Sequence, residues 1–246
     1  MRRTPERVIV GFDPGGKGGF GWCILEDAVE PPLRVVDTGV SDSAEAAVKS
    51  LVVHNCDVQA AGIDAPLFWV PSGDRLADQH VRAEVKAQGA PSPGGTVQSV
   101  NSLRGACLVQ GIMIAVLLRR RWPTLPITEA HPKAYLWTVG VATARIRASS
   151  VTLRSLRQFS CPAGTKHPND HERDAAIAAY CAWAMVHRVA GWHDLLPKEK
   201  EAYLPIEHPL GYWYPPRGAV PCGDRLGSNP RFSGGPVADS KTRVAK

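Results

Sequence analysis

Residues 8–25, Val8-Ile-Val-Gly-Phe-Asp13-Pro-Gly-Gly-Lys-Gly-Gly-Phe20-Gly-Trp-Cys-Ile-Leu25, read as two strands joined by a glycine turn. Val8 to Val10 is a β-branched run of the kind that packs on a pleated sheet, and Phe20 to Leu25 repeats the apolar character on the return. Between them, Pro14 and the glycines after it permit a tight reversal. The pair predicts a hairpin. Asp13 then stands at the carboxyl end of the first strand, beside backbone that a bulky phosphate can approach. An aspartate at that place also serves as an ordinary turn residue bonded to the following amides.

Outward from the hairpin, Arg34 to Gly39 predicts a third strand, and Ser41 or Ser43 caps a helix to about His54 with Ala44, Ala47, Val48 and Leu51 at helical spacing. Val58 to Asp64 predicts a fourth strand that again finishes on an acid. Residues 65–100 are irregular, with prolines around one helix from about Asp74 to Lys86, and read as an insertion over a sheet edge or a site. Asn101 to Arg121 is a long apolar helix. Pro126 to Ala130 is a short fifth strand bearing Glu129, Tyr135 to Arg157 holds one or two helices, and His167-Pro-Asn-Asp170 caps a helix from Asp170 to about Val189. Beyond Pro197 prolines and glycines dominate without periodicity. The expectation is an α/β domain over residues 1–196 with a mixed five-stranded sheet and helices on both faces, followed by an irregular, partly basic tail over 197–246.

Hydrophobic residues make up 44% of the chain and charged residues 21%, the balance of an ordinary globular domain. The six cysteines are scattered with no C-x-x-C pair, which argues against a zinc site and for reduced thiols in the cytoplasm. No signal peptide is legible at the start, and the most apolar segment, Ala106 to Leu118, is too short to span a bilayer. Net charge is +6, and the stretch from Pro216 to Lys246 carries six basic residues against two acidic ones. A basic surplus placed there suits a polyanionic partner, because neutralising phosphates releases counterions.

Three acids, Asp13, Asp64 and Glu129, thus stand at ends of expected strands. Crowded carboxylates repel one another without a cation, and oxygen ligands suit Mg²⁺ or Mn²⁺. Asp170 and Asp174 lie four apart on one face of the last helix. Asp170 reads as its N-cap or as a ligand; Asp174, a turn deeper beside alanines, reads as a metal ligand. Lys17 in the glycine turn can contact phosphate. Arg75, Asp78 and Arg82 share one helical face, which is either a solvated ion-pair stripe or a phosphate-binding surface. His131 and His167 lie near acids and can relay protons or be structural.

The order of strand-one Asp, strand-four Asp, strand-five Glu and final-helix Asp looks like the ribonuclease H-like superfamily. The hairpin Gly11-Phe-Asp-Pro-Gly-Gly-Lys-Gly-Gly-Phe-Gly21 is similar to the opening of RuvC-type Holliday junction resolvases. Over residues 7–190 the chain resembles the domain of unknown function 429 family of predicted nucleases, in Ile63 to Leu67, Arg75 to Arg82, Glu129 to Pro132 and Asp170 to Ala179. The resemblance implies a ribonuclease H-like sheet. It also implies that Asp13, Asp64, Glu129 and Asp174 are the catalytic acids of a two-metal nuclease acting on DNA or RNA. The motif Asn169-Asp-His-Glu-Arg-Asp174 leaves open whether Asp170 or Asp174 is the final ligand. Two other readings remain: a non-catalytic module binding nucleic acid or protein, and an actin-like phosphotransferase, which needs a second copy of the fold.

Overall fold

The computed structural model describes residues 6–72, 74–98, 105–141, 151–162, 168–207 and 209–216. The expected hairpin is present: β1 (Arg7–Asp13) pairs antiparallel with β2 (Phe20–Glu26), which pairs antiparallel with β3 (Leu33–Ser41). Ser43 caps α1 (Ala44–Val53), accepting from the Ala46 amide, and the chain returns as β4 (Asp57–Ile63), parallel to β1. Then come α2 (Leu76–Ala87), α3 (Pro93–Thr96) and α4 (Gly105–Arg121), followed by β5 (Ile127–Glu129), parallel to β4. The rest comprises α5 (Pro132–Thr138), β6 (Phe159–Ser160), α6 (Asp170–Val186), β7 (His193–Asp194) and β8 (Leu210–Tyr214).

The sheet has eight strands in the order β6-β3-β2-β1-β4-β5-β8-β7, not five. Two of the three additional strands, β6 and β7, are two-residue pairings before residue 197, and the third comes from the part expected to be irregular tail. It is β8, which runs parallel to β5 and buries Tyr212 and Tyr214. A five-residue apolar run closed in by Pro209 and Pro215 carries too little periodicity to stand out from its surroundings. Residues 217–246 lie outside the described part. Among the described residues no helix is long and apolar enough to cross a membrane.

Strand periodicity sorts the interior into two layers. Val8, Val10 and Phe12 of β1 pack on the side of α1, α2 and α4, whereas Ile9 packs on the side of α6. Every residue of α6 from Arg173 to Ala184 is buried. The helix can lie so deep because its alanines meet glycines: Gly11 of β1 and Gly62 of β4 are register partners beneath it. A Cβ on Gly11 would stand 1.9 Å from the Ala175 carbonyl oxygen, and one on Gly62 would stand 1.8 Å from that of Ala178. The helix begins with a capping box. Asn169 accepts from the Glu172 amide at 3.0 Å, and Glu172 accepts from the Asn169 amide at 2.9 Å. Asn169, not Asp170, is therefore the N-cap.

Candidate functional site

Asp13 is the last residue of β1, and the amide of Asp64, one residue past β4, donates to the Phe12 carbonyl at 2.9 Å. Parallel pairing thus brings both aspartates to the same edge of the sheet. Both also fall on the α6 face, since Gly11 and Gly62, two residues before each, lie beneath that helix. They line a cleft of about 210 Å³ together with Thr96, Gln98, Cys107, His131 and Lys133. Thr96 and Gln98, from the irregular segment after β4, form part of the cleft wall. Asp174, in the second turn of α6, is buried, and its charge is felt by Asp64 as that of Asp13 is felt by it.

Charge crowding shows in the protonation equilibria. Burial, followed by the charges of Asp13 and Asp174, pushes the Asp64 carboxyl well above the usual carboxylate range, with Lys133 opposing. Among the described residues the Asp64 side chain has no hydrogen-bond partner. Asp174 is pushed up to about 6 by burial and by Asp13, against the pull of Arg173. The buried Arg173 donates to Asp174 Oδ1 from Nε at 2.8 Å and Nη2 at 2.7 Å, and to Asp170 Oδ1 from Nη1 at 2.8 Å. His171 Nδ1 lies 2.6 Å from Asp13 Oδ2, and this hydrogen bond raises the imidazole pKa. Asp13 and Asp64 thus share the cleft within electrostatic reach of Asp174, and among the described residues the arginine and histidine beside them leave Asp64 unpaired.

Glu129 points away from that group, though its charge still reaches Asp64. It is the register partner of Ile63, whose side chain packs on the α2 side of the sheet, so its carboxylate leaves by the face opposite Asp64. There it meets Arg75, which is 1% exposed. Arg75 donates to Glu129 Oε1 at 2.6 Å and Oε2 at 2.8 Å, and to both oxygens of Asp78 at 2.7 and 2.8 Å. The Leu67 amide adds a bond to Glu129 Oε2 at 2.9 Å. Burial alone would raise the Glu129 carboxyl, but Arg75 and His131 hold it down at about 2. Ligand atoms of Asp78, Glu129 and His131 lie within 4.8 Å of one another, a spacing that suits a cation. The Arg75 guanidinium already pairs with both carboxylates there.

Arg75 cannot serve as the phosphate contact expected of it, because its guanidinium is enclosed among Phe68, Asp78 and Glu129. Arg82 is tied to Asp74 and to the Val97 carbonyl. Lys17 is exposed in the glycine turn, and Asp170 is largely exposed and bound to Arg173, so Asp174 is the better-placed ligand of the two. His167 lies outside the described residues. His131 lines the cleft, and its Nε2 lies 3.1 Å from Glu129 Oε1. A carboxylate held ionised only accepts, so Nε2 donates this hydrogen bond. Sequence reasoning missed His171, Arg173 and Lys133. His171 and Arg173 were accessible from helical spacing, since His171 precedes Asp174 by three. Lys133 enters the cleft only because α5 starts at its rim. Comparisons with protein families, with curated proteins and with solved structures found no match.

Proposed function

We propose that this chain is a metal-dependent nuclease of the ribonuclease H-like kind, hydrolysing phosphodiester bonds of DNA or RNA with Mg²⁺ or Mn²⁺ held by Asp13, Asp64 and Asp174. The observation that carries the reading is that Asp13 and Asp64 share one cleft within electrostatic reach of Asp174, with Asp64 lacking any hydrogen-bond partner for its side chain among the described residues. An all-oxygen donor set of this charge fits a hard divalent cation. An antiparallel β1-β2-β3 meander flanked by parallel β4 and β5, with acids at adjacent strand ends, supports the ribonuclease H-like assignment.

When bound, such ions supply Lewis acidity at the attacking water and the leaving oxygen. The protein's own groups do the rest. His171 fixes the Asp13 carboxylate, Arg173 fixes Asp174, and Lys133 brings positive charge to the cleft for the phosphate. His131, oriented by Glu129, accepts the proton of the attacking water as the new P–O bond forms; the bond to the leaving sugar oxygen breaks, and that oxygen takes a proton from solvent. Glu129 thus acts through His131, as a positioning residue.

The test is incubation with end-labelled single- and double-stranded DNA and RNA, with Mn²⁺ or with chelator. Cleavage is expected with Mn²⁺ alone and is expected to be lost in Asp64→Asn. A protein that binds nucleic acid equally well with or without Mn²⁺, and cleaves none of the substrates, is a non-catalytic module instead.

A further inference from the structure

We infer that the apolar groove beside the acidic cleft is a stacking site for an unpaired nucleobase, which makes single-stranded or locally opened nucleic acid the ligand. For what occupies the cleft itself, this rests on the phosphodiesterase reading. The groove, about 340 Å³, is lined by Pro66, Trp69, Leu108, Ile112, Tyr203 and Pro205. Pro66 also lines the acidic cleft, so the two hollows adjoin at that residue. Trp69 is 42% exposed and Tyr203 is 62% exposed, a costly display for two large rings with no apolar cover. They are not loosely placed. Each backbone amide donates to the other's carbonyl, at 3.1 and 2.8 Å, and the ring centroids are 5.7 Å apart at 48°. Rings at that angle do not cover each other, and a planar group can lie on either.

The surroundings select the occupant. On the far side, Pro205 also lines a hollow containing Arg119 and Arg120. Arg119 is committed to the carbonyls of Pro123, Leu125, Glu207 and Pro209, whereas Arg120 is exposed. Helix α4 runs beside all three hollows, through Cys107 at the cleft, Leu108 and Ile112 at the groove, and Arg120 beyond. At 1.5 Å per residue, Cys107 to Arg120 spans about 20 Å. Along it lie a phosphate-directed cleft with Lys133, an aromatic platform, and an exposed guanidinium. That sequence of anion, flat ring and anion is the chemistry of a nucleotide strand. In a duplex the base faces are hidden against their neighbours, so only an unpaired base can use the platform.

The experiment measures anisotropy of a fluorescein-labelled oligothymidine, an abasic oligonucleotide of equal length and a blunt duplex. The full chain is used, in chelator so that nothing is cleaved, and at one salt concentration. Oligothymidine should bind tighter than either control. Trp69→Ala should weaken it by about 5- to 100-fold and bring it level with the abasic strand, while Trp69→Phe keeps the preference. Thermal melts confirm that the exposed substitutions leave the fold intact; Tyr203→Ala is the second variant should Trp69→Ala melt low. Equal binding of base-bearing and abasic strands by the wild type, or no effect of either alanine variant, overturns the stacking site. So does a wild-type dimer, seen by sedimentation, that Trp69→Ala dissociates, because the groove is then an interface between copies. Cleavage with Mn²⁺ that is indifferent to Trp69 removes the groove but keeps the nuclease; base-selective binding without cleavage does the reverse.

Discussion

Asp64, half-buried on the cleft, and Glu129, fully buried, are both acids at strand ends, yet their environments push them in opposite directions. Asp64 is raised by burial and by Asp13 and Asp174, whereas Glu129 is lowered by Arg75 and His131. In chelator near pH 8, Asp64→Asn should therefore melt higher than wild type, by roughly 1 kcal/mol or a few degrees, because it removes an unpaired charge from the cluster. Asp13→Asn should gain less, since it also loses the His171 pairing. Mn²⁺ should stabilise wild type and do little for Asp64→Asn, because only the native state of the former binds the ion tightly. The pH dependence follows with the sign fixed by the raised values. The folded state holds protons on Asp64 and Asp174 more tightly than the unfolded chain, so stability from these groups falls as pH rises from about 4 through 6 and beyond. Glu129 works in a separate window, contributing stability above about 4.5 that is lost as pH falls toward 2. Thermal melts from pH 3 to 8 in chelator and in Mn²⁺ check both limbs; a profile above pH 5 that Mn²⁺ leaves unchanged counts against the cluster as a metal site.

At the scale of elements, strand parity and helix depth decide what each residue can do. β5 contributes only Ile127, Thr128 and Glu129, and its register against β4 places Glu129 with Ile63 instead of with Asp64. Glu129→Gln should then destabilise the protein by about 3 kcal/mol, since it leaves Arg75 buried with half its compensation. Urea denaturation reads this directly, and the sign is opposite to that of Asp64→Asn. A stabilised Glu129→Gln would return Glu129 to the acid cluster. Helix α6 makes the complementary point about packing. Gly62→Ala drives a methyl group to 1.8 Å from the Ala178 carbonyl, backbone against backbone, so neither side can yield cheaply. A loss of about 3 kcal/mol or more is expected, with Mn²⁺ response lost as Asp174 shifts away from Asp13. Retention of both stability and metal response in that variant would show that α6 does not need its close seat.

For the whole molecule, β8 places residues 210–214 in the sheet, and the chain before it brings Tyr203 to the groove beside the cleft. A chain ending at residue 196 should lose its cooperative melt, because β5 would keep an unpaired edge and Tyr212 would leave the Arg75 pocket. A chain ending at 216 should instead show a flatter salt dependence of polyanion binding, because six basic residues are gone. Short-range chemistry is legible in the chain before it folds: the glycine-turned hairpin, the helices with their spacing, and acids at the ends of β1 and β4 with Asp174 on the closing helix. Local periodicity and turn residues suffice for these, since each depends on neighbours within a few positions. Which way each of those residues faces, and what meets it, is set by packing between distant parts of the chain. A three-residue strand has no parity of its own until β4 sets its register, so Glu129 looked like a third ligand and Arg75 like a phosphate contact. A proline-bounded apolar pentapeptide becomes a strand only because β5 offers it an edge. Partners such as Arg75 with Glu129, 54 residues apart, and His171 with Asp13, 158 apart, exist only once the sheet has brought them together.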